Sequence, residues 1–429
     1  MFSLKKAAAG VLSCTMLLGS LVISGCSDSN TSGTQSTDNT SNGSSTAHQG
    51  EIKDISSVEL VKDMKIGWSL GNTLDGGNES NRGQDPGSIE KSWGNPDTTK
   101  EMIDEIKKAG FNVLRVPTTW DWSTGEAPEY KISDEWFARV KEIVDYGMEN
   151  DMYVILNIHH ETWHDPLEKN YEAASDRLKK VWTQIGNYFK DYDEHLIFEG
   201  LNEPRVRNSD EEWNGGSDAT REVVNKLDAD FVSTIRSLDG NNKLRHLMIP
   251  GYAASSSEVA LKALKIPEND DKLIVSVHAY IPYNFALADN KRSNKWVACK
   301  EGFTNDIDNL ADMLKTLFTD KGQAVIIGEF GARSKDNDKY RAEWAKYYVT
   351  KMKTVGVPCV WWDNGAFIGS GELFGLLDRR NLEWRYPLVK DALISASNGE
   401  YTVDGLKSDT AILDELKKDI AQSKNSSAE

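Results

Sequence analysis

Positive charge and histidine are both scarce in this chain of 429 residues. Only seven histidines are present, and three of them lie within residues 159–164. The chain has 50 lysines and arginines against 67 aspartates and glutamates, which leaves a formal net charge of −17 at pH 7. Because such a surface repels polyanions, the charge argues against nucleic acids and anionic polysaccharides as partners. Neutral polymers remain as candidates.

Cysteine is scarce too, and four residues at these positions do not build a disulfide framework. Cys14 and Cys26 lie in an N-terminal leader, which leaves Cys299 and Cys359 in the body of the chain. Cys359 stands in an apolar run and is predicted to be a buried strand residue.

The N-terminus has the pattern of a secretion signal. Lys5-Lys6 precede an apolar stretch from Ala7 to Ile23, which is too short for a stable membrane span. The string Leu21 to Cys26 resembles the bacterial lipoprotein box, which implies that Cys26 becomes the lipid-modified first residue. An ordinary signal peptide with an incidental cysteine is the alternative. We therefore predict a signal peptide over 1–25 and a lipid anchor on Cys26, which holds a secreted protein at the outer face of a bacterial membrane.

The rest of the chain divides by composition. Residues 26–50 are rich in Ser, Thr and Asn and have too little apolar surface to fold, so we predict a flexible tether. The body, 51–400, has no second linker and no short internal repeat, and is predicted to be one domain. Residues 401–429 are predicted to form a C-terminal helical extension with a polar tail.

The body alternates short apolar runs with amphipathic ones, which is typical of βα units around a parallel sheet. Eight strands are predicted, at Ile66–Leu70, Val113–Pro117, Tyr153–His159, Leu196–Glu203, His246–Gly251, Leu273–Tyr280, Val325–Phe330 and Cys359–Asp363. Six helices are predicted between them, at Thr98–Ala109, Asp134–Glu149, Ala173–Lys190, Asp218–Leu238, Asp306–Thr319 and Lys339–Val355, with a weaker one at Ser257–Ile266. This α/β pattern predicts a (β/α)₈ TIM barrel, whose active sites lie at the C-terminal ends of the strands.

Polar side chains stand at these predicted strand ends. They are Arg115, His159-His160-Glu161, Asn202-Glu203, His278 and Tyr280, Glu329, and Asp363-Asn364. Two glutamates delivered by two different strands predict a two-carboxylate enzyme, and glycoside cleavage is the chemistry that most needs such a pair.

A retaining glycosidase needs one carboxylic acid and one carboxylate nucleophile about 5 Å apart. Glu203 is the candidate acid/base, and its pKa is expected to be raised by Glu329 nearby. Glu329 is the candidate nucleophile, and Arg115 is expected to favour its anion.

Other strand-end residues fit supporting roles. Tyr280 is predicted to hold Glu329 by a hydrogen bond, and His278 to orient Glu203 or follow its proton. Asn202 is predicted to bind the sugar 2-hydroxyl, and Trp362 to form the floor under the sugar at the cut.

Thirteen tryptophans are many for this length, and sugar rings stack on aromatic faces. Half are expected in the core, and the others are candidates for binding sites along a polymer. The predicted substrate-binding residues are Asn72, His160, Trp120, Trp163, Trp362 and Asn364, with Trp122 and Trp296 as further rim candidates. Packing under a loop is the alternative for each rim tryptophan.

Seven strings within residues 51–395 carry a more specific signal. They are Gly67–Asp75, Arg115-Val116-Pro117, Asn157–Glu161, Leu201–Pro204, His278-Ala279-Tyr280, Gly328–Gly331 and Trp361–Gly365. Together they resemble glycoside hydrolase family 5, the cellulase family of clan A. The resemblance is strongest to subfamily 4, which includes endo-β-1,4-glucanases, xyloglucanases and lichenases.

The resemblance implies an acid/base and a nucleophile at the ends of strands four and seven, without a metal or cofactor. It also implies a supporting set whose members are Arg115, a histidine after the third strand, Asn202, His278, Tyr280 and Trp362. His159 is favoured over His160 for that histidine, because period-two alternation from Asn157 points His159 the same way.

Two other motifs match by pattern alone. Gly67–Gly71 fits the G-x-S-x-G elbow of esterases, but the following residues are poor helix formers, which that elbow requires. His160–His164 fits the H-E-x-x-H zinc motif, but it follows a strand and precedes Asp165-Pro166 instead of lying in a helix.

The sequence thus predicts a monomeric, retaining endo-β-1,4-glucanase that acts on cellulose, mixed-linkage glucan or xyloglucan. No cofactor, metal or nucleic acid is expected, and the membrane is contacted only through the lipid. An endo-β-mannanase or xylanase on the same scaffold is one alternative. A non-catalytic polysaccharide-binding surface lipoprotein is another, although binding alone needs neither Glu203 nor Glu329.

Overall fold

The computed structural model describes residues 48–289 and 293–413. The predicted signal peptide, Cys26, nearly all of the predicted tether and the polar tail after residue 413 lie outside the described residues. Within the described ranges, no helix is long and apolar enough to cross a membrane.

Eight parallel strands close into a barrel in chain order, which confirms the predicted (β/α)₈ fold. They are β1 (Ile66–Leu70), β2 (Val113–Val116), β3 (Tyr153–Asn157), β4 (Leu196–Glu199), β5 (Leu247–Ser255), β6 (Leu273–His278), β7 (Ala324–Phe330) and β8 (Cys359–Asp363). The last strand pairs with the first from Ile66↔Cys359 to Leu70↔Asp363, so the sheet has no free edge. Cys359 is buried in β8, as predicted.

Helices surround the barrel and follow it. They are α1 (Ser57–Asp63), α2 (Pro86–Glu90), α3 (Lys100–Ala109), α4 (Asp134–Glu149), α5 (Tyr171–Tyr188), α6 (Asp218–Ser237), α7 (Glu258–Ala263), α8 (Tyr283–Ala286), α9 (Asn305–Leu317), α10 (Asp338–Thr354), α11 (Pro387–Ser397) and α12 (Val403–Ser408). A short hairpin, β9 (Leu377–Asp378) and β10 (Glu383–Trp384), lies between β8 and α11.

Local chemistry sets where these helices begin and end. The Thr99 side chain accepts a hydrogen bond from Met102 N and caps α3, which buries Ile103 and Ile106 against the barrel. Gly110 ends that helix at a φ of 112°, a left-handed conformation that glycine adopts without strain.

The first helix closes the N-terminal mouth of the barrel. Leu60, Val61 and Met64 pack with an apolar layer of inward-facing strand residues, including Ile155 and Ile326. Because this mouth is filled, the side chains at the other ends of the strands are the ones that can face a ligand.

Four predicted strands ran too far, to Pro117, His159, Glu203 and Tyr280, whereas β2, β3, β4 and β6 end at Val116, Asn157, Glu199 and His278. The chain stays extended there and keeps single backbone bonds, such as Asn202 N to Ile158 O at 2.9 Å. The pairing register shifts near the ends of β5, β6 and β7. Such irregularities re-aim side chains. Of the residues at the four predicted ends, His159, Glu203 and Tyr280 line the cleft described below.

Candidate active site

The open end of the barrel holds a cleft of about 930 Å³. The predicted site residues that line it are Asn72, His159, His160, Asn202, Glu203, Tyr280, Glu329 and Trp362. They come from the ends of several different strands, so the sheet brings together residues that are far apart in the chain.

The two glutamates lie side by side. Oxygens of Glu203 and Glu329 come within 4.8 Å of each other, and His278 lies within the same distance of both. A separation near 5 Å is typical of retaining glycosidases, whereas inverting enzymes need about 6.5–9.5 Å.

Both oxygens of Glu329 are held in place. Arg115 donates from Nη1 to Oε1 at 2.7 Å, and the Tyr280 hydroxyl donates to Oε2 at 2.8 Å. Arg115 is fully buried, so its charge acts on the carboxylate with little screening by water. The contacts expected of Arg115 and Tyr280 are therefore present.

Arg115 is itself anchored by a residue that the sequence analysis did not single out. Glu199, the last residue of β4, accepts from Arg115 Nε at 2.8 Å, from Asn157 Nδ2 at 2.9 Å and from Ser276 Oγ at 2.6 Å. Arg115 Nη2 also donates to Asn202 Oδ1 at 2.7 Å, which orients that amide. An acidic residue directly after the apolar run Leu196–Phe198 was the available signal.

Glu203 is bound by two cationic side chains. Its Oε1 lies 2.8 Å from His278 Nδ1, and Arg205 Nη1 donates to its Oε2 at 3.3 Å and to its backbone oxygen at 2.9 Å. Burial acts to raise the pKa of Glu203, but the His278 hydrogen bond and nearby positive charges outweigh it and hold that pKa below its usual value.

The expectation that Glu329 raises the pKa of Glu203 is therefore wrong. Burial lowers the pKa of His278, but the charge of Glu329 and the Glu203 hydrogen bond prevail and raise it. These opposite shifts favour the proton on His278, 2.8 Å from Glu203.

The two histidines after β3 differ in environment. His159 is buried; the Asn157 amide donates to its Nδ1 at 3.0 Å, and Nε2 lies 3.9 Å from Asp75. Burial and then the neighbouring His160 hold the pKa of His159 well below its usual value, so the ring is neutral. It stacks on Trp362 with the planes 4° apart. His160 is partly exposed and also lies 3.9 Å from Asp75.

Trp120, predicted to bind substrate, is instead part of the core. Only 1% of it is exposed, and its Nε1 donates to Asn157 O at 2.9 Å. Trp296 is likewise buried. Trp163 packs beside Arg177 and does not line the cleft. All three tryptophans pack in or against the apolar core instead.

Two further predictions concern the rim. Trp122 lies outside the cleft, with the Arg82 guanidinium 5.3 Å from its ring centroid and Gly77 against its edge. Asn364 does not line the cleft either, because its amide donates to Glu372 O at 2.7 Å and its oxygen accepts from Phe374 N. Asn364 therefore holds the loop after β8 instead of presenting a free amide.

The cleft also has aromatic residues that the sequence analysis missed. Trp93, Trp213 and Tyr283 line it and are 43%, 61% and 62% exposed. The Arg205 guanidinium lies 4.3 Å from the Trp213 ring centroid, and the Trp93 ring lies 5.6 Å from that of His160. For the two tryptophans the available signal was a polar loop with glycine within two residues and no apolar periodicity to bury the ring.

The two alternative motifs do not form their sites. Gly67–Leu70 lies in β1 with Ser69 fully buried, and no helix follows directly. His160–His164 is a loop, so its two histidines do not share a helical face.

Comparison with known proteins agrees with this geometry. Residues 77–367 match the family model described as cellulase (glycosyl hydrolase family 5). Endoglucanase B of Neocallimastix patriciarum is 48% identical over 347 residues, which cover 80% of this chain and 72% of that protein.

Two solved structures share the fold. A GH5-4 broad specificity endoglucanase from Ruminococcus champanellensis with bound cellotriose has a TM-score of 0.76 and 43% identity, covering 80% of this chain and 99% of that one. A GH5 family lichenase from Caldicellulosiruptor sp. F32 also has a TM-score of 0.76 and 43% identity, covering 81% and 97%.

Proposed function

Because this chain belongs to glycosyl hydrolase family 5, the cellulase family, we propose that it is a retaining endo-β-1,4-glucanase. It cleaves internal bonds of β-glucans in two displacement steps. The observation that carries the mechanism is the pair Glu203 and Glu329, whose oxygens lie within 4.8 Å in one cleft with different partners.

In the first step an oxygen of Glu329 attacks the anomeric carbon, and the bond to the leaving sugar oxygen breaks. Glu203 gives its proton to that oxygen, which leaves a covalent glycosyl ester on Glu329. In the second step Glu203 takes a proton from water, the water oxygen attacks the same carbon, and Glu329 is released. Arg115 and Tyr280 hold the two oxygens of Glu329 by hydrogen bonds and orient them for the attack.

The acid proton comes from the pair formed by His278 and Glu203. The opposite pKa shifts favour its position on His278, and transfer along the 2.8 Å hydrogen bond converts Glu203 into the neutral acid. The imidazole becomes neutral in the same step. The pair therefore carries one proton before cleavage and needs no proton from bulk water at that moment.

A β-glucan is the substrate that fits this cleft best. Trp362 lies beside the carboxylate pair, and Trp93, Trp213 and Tyr283 offer exposed faces farther along. Sugar rings stack on such faces without needing charge. The solved relatives named above are a broad specificity endoglucanase with cellotriose and a lichenase, which supports cellulose-type and mixed-linkage glucans.

Replacing Glu329 by Gln tests the mechanism. The amide keeps the shape of the cleft but cannot form the ester, so kcat should fall by on the order of 10³-fold or more. Binding of cellotetraose, measured by calorimetry, should stay within about threefold. Glu400→Gln, an exposed carboxylate after α11, is the matched control. Wild-type hydrolysis by Glu329→Gln would remove Glu329 from the mechanism.

The endo-β-mannanase and xylanase alternatives are tested by a substrate panel. Initial rates on carboxymethyl cellulose, mixed-linkage glucan and xyloglucan should exceed those on mannan and xylan by about tenfold or more in kcat/KM. A preference for mannan or xylan would overturn the proposed substrate class while leaving the Glu329 result unchanged.

We further propose that the protein is a secreted monomer anchored by lipid on Cys26. The string Leu21–Cys26 and the polar tether after it support this location. In detergent phase separation of the full chain made in a bacterial host, wild type and Cys14→Ser should enter the detergent phase, and Cys26→Ser the aqueous phase. Wild type in the aqueous phase would exclude the anchor.

The proposed monomeric state is tested separately. Light scattering of Cys26→Ser should give the mass of one chain.

A further inference from the structure

A second cluster of histidines and carboxylates lies at the N-terminal mouth of the barrel, away from the cleft. His48 stands before the body, Asp151 lies in the turn between α4 and β3, and His195 directly precedes β4. Nε2 of His48 lies 3.5 Å from Asp151 Oδ1, and Nε2 of His195 lies 3.8 Å from the same oxygen. Three segments of the chain thus bring three ligand atoms within 4.8 Å of one another.

A single carboxylate fixes the tautomers of both histidines. Asp193 Oδ2 lies 2.9 Å from His48 Nδ1, and its Oδ1 lies 3.0 Å from His195 Nδ1. Because a carboxylate only accepts, each Nδ1 carries the hydrogen, and in the neutral tautomer the lone pair of each Nε2 faces Asp151. Metal-binding histidines typically donate their other ring nitrogen to a carboxylate in this way.

A cation between the two rings and Asp151 would stabilise this arrangement. The contacts at 3.5 and 3.8 Å are too long for hydrogen bonds, so neutral rings would leave three electron-rich atoms facing one another. Protonation of both rings would instead place two imidazolium ions with centroids 4.4 Å apart. Among the described residues, no lysine or arginine forms an ion pair with Asp151, and the nearby ammonium of Lys53 binds Glu194 at 2.6 Å.

We propose that His48, Asp151 and His195 form a binding site for a divalent transition-metal ion such as zinc. Imidazole and carboxylate ligands suit this class of ion. Zinc bonds of about 2.0–2.1 Å in tetrahedral geometry space their ligand atoms about 3.4 Å apart. The two distances to Asp151, 3.5 and 3.8 Å, need to shorten by only a few tenths of an ångström, and the two Nε2 atoms lie within 4.8 Å of each other. Asp151 is 76% exposed, which leaves the fourth position to water.

The ion would join three parts of the chain. His48 continues into a bridge between Gln49 and Tyr192, while Asp151 and His195 belong to the starts of β3 and β4. Since a ligand that binds only the folded chain stabilises it, the metal should raise the melting temperature. It should leave the proposed glycosidase chemistry untouched, because that chemistry lies at the other end of the barrel.

The full-length protein, stripped with a chelator and dialysed, is titrated with zinc by calorimetry and with cobalt by visible absorption. We expect one ion per chain, the absorption bands of tetrahedral cobalt, and a rise in melting temperature of about 2 °C or more. His48→Ala and His195→Ala should lose all three signals.

Asp151→Asn keeps the shape of an exposed side chain, so it tests the site even where a histidine variant folds poorly. It should weaken zinc binding by about tenfold or more. Asp191→Asn, a neighbouring exposed carboxylate outside the cluster, should bind zinc like the wild type. Two results would overturn the site: no zinc binding at micromolar concentration, or unchanged binding in both His48→Ala and Asp151→Asn, which would assign the ion to the cleft histidines.

Discussion

At the scale of single residues, one hydrogen bond determines where the proton of the proposed acid rests. Glu203 and His278 share this proton across a distance of 2.8 Å. The pKa of Glu203 lies below its usual value, and the pKa of His278 lies above its usual value. The pair stays singly protonated from below about pH 4.5 to above about pH 6.5. A buried carboxylic acid without such a partner would keep its proton only below its own pKa.

Replacing His278 by Asn should move the alkaline limit of activity to lower pH. The amide still donates to Glu203 and keeps its pKa low, but it cannot hold a proton as the pH rises. The expected result is a kcat/KM profile whose falling limb begins more acidic than in wild type. His246→Asn, a buried histidine at the closed mouth, is the control, and an unchanged falling limb in His278→Asn would contradict the shared-proton model.

Trp213 is the most exposed tryptophan of the cleft, and its loss should weaken binding more than chemistry. Trp213→Ala removes a stacking face, so KM for cellotetraose should rise roughly 3–10-fold with a smaller change in kcat. Steady-state rates on cellotetraose measure both. Trp122→Ala, which removes an indole outside the cleft, should leave KM unchanged; equal KM values in wild type and Trp213→Ala would exclude the stacking role.

At the scale of secondary-structure elements, periodicity predicted the number and order of the barrel strands and most of the helices. The bounds of α4 agree at both ends, because Ser133 caps its start with a hydrogen bond from Trp136 N. The ends of β4 and β6 were predicted too far along, since apolar alternation continues past the last ladder bond. α11 was missed, as it lies after the eighth strand, where the βα pattern offers no guide.

The same limit applies to the site. The placement of Glu203 and Glu329 in one cleft followed from the rule that strand ends meet at one face. Which way a side chain turns after that end is decided by tertiary packing, so Trp120 was expected in the cleft but is buried. Trp93 and Trp213 reach the cleft from long loops, whose paths composition does not predict.

Close packing between β6 and β7 makes Gly328 a sensitive position. A Cβ there would lie 2.8 Å from Ser276 Oγ and 3.2 Å from His278 Nε2. Gly328→Ala should therefore lower the free energy of unfolding by about 1–3 kcal/mol and displace His278 enough to reduce kcat. Gly251→Ala on β5, whose Cβ would approach nothing closer than 3.5 Å, is the control. Full activity and stability of Gly328→Ala would contradict this packing.

At the scale of the whole molecule, stability should depend on a carboxyl group that plays no part in the proposed chemistry. Glu161 is buried and accepts from Trp120 N at 2.6 Å through Oε1, and among the described residues Oε2 has no hydrogen-bond partner. Burial raises its pKa to about 8. Because the folded pKa is above the unfolded one, the stabilisation is complete below about pH 4.5 and is lost as the pH rises through 8.

Glu161→Gln should remove that dependence, since the amide is neutral at every pH and its oxygen can still accept from Trp120 N. Melting temperatures of variant and wild type should agree near pH 4, and the variant should be more stable at pH 8 by on the order of 2 kcal/mol. Glu126→Gln, an exposed loop carboxylate, should melt like wild type throughout. A constant difference across the pH range would mean that Glu161 does not titrate with folding.

The chain enters the barrel at the mouth that α1 closes, through the bridge of Gln49 with Tyr192, while the cleft opens at the opposite end. If a covalent link ahead of residue 48 attaches the protein to a solid support, the cleft therefore faces away from the support, into the solution. Protein attached to beads or electrodes through its N-terminus should hydrolyse long β-glucan chains as fast as the free protein does. Random coupling through lysines, by contrast, should leave part of the attached protein with its cleft facing the support, which should lower the rate of hydrolysis.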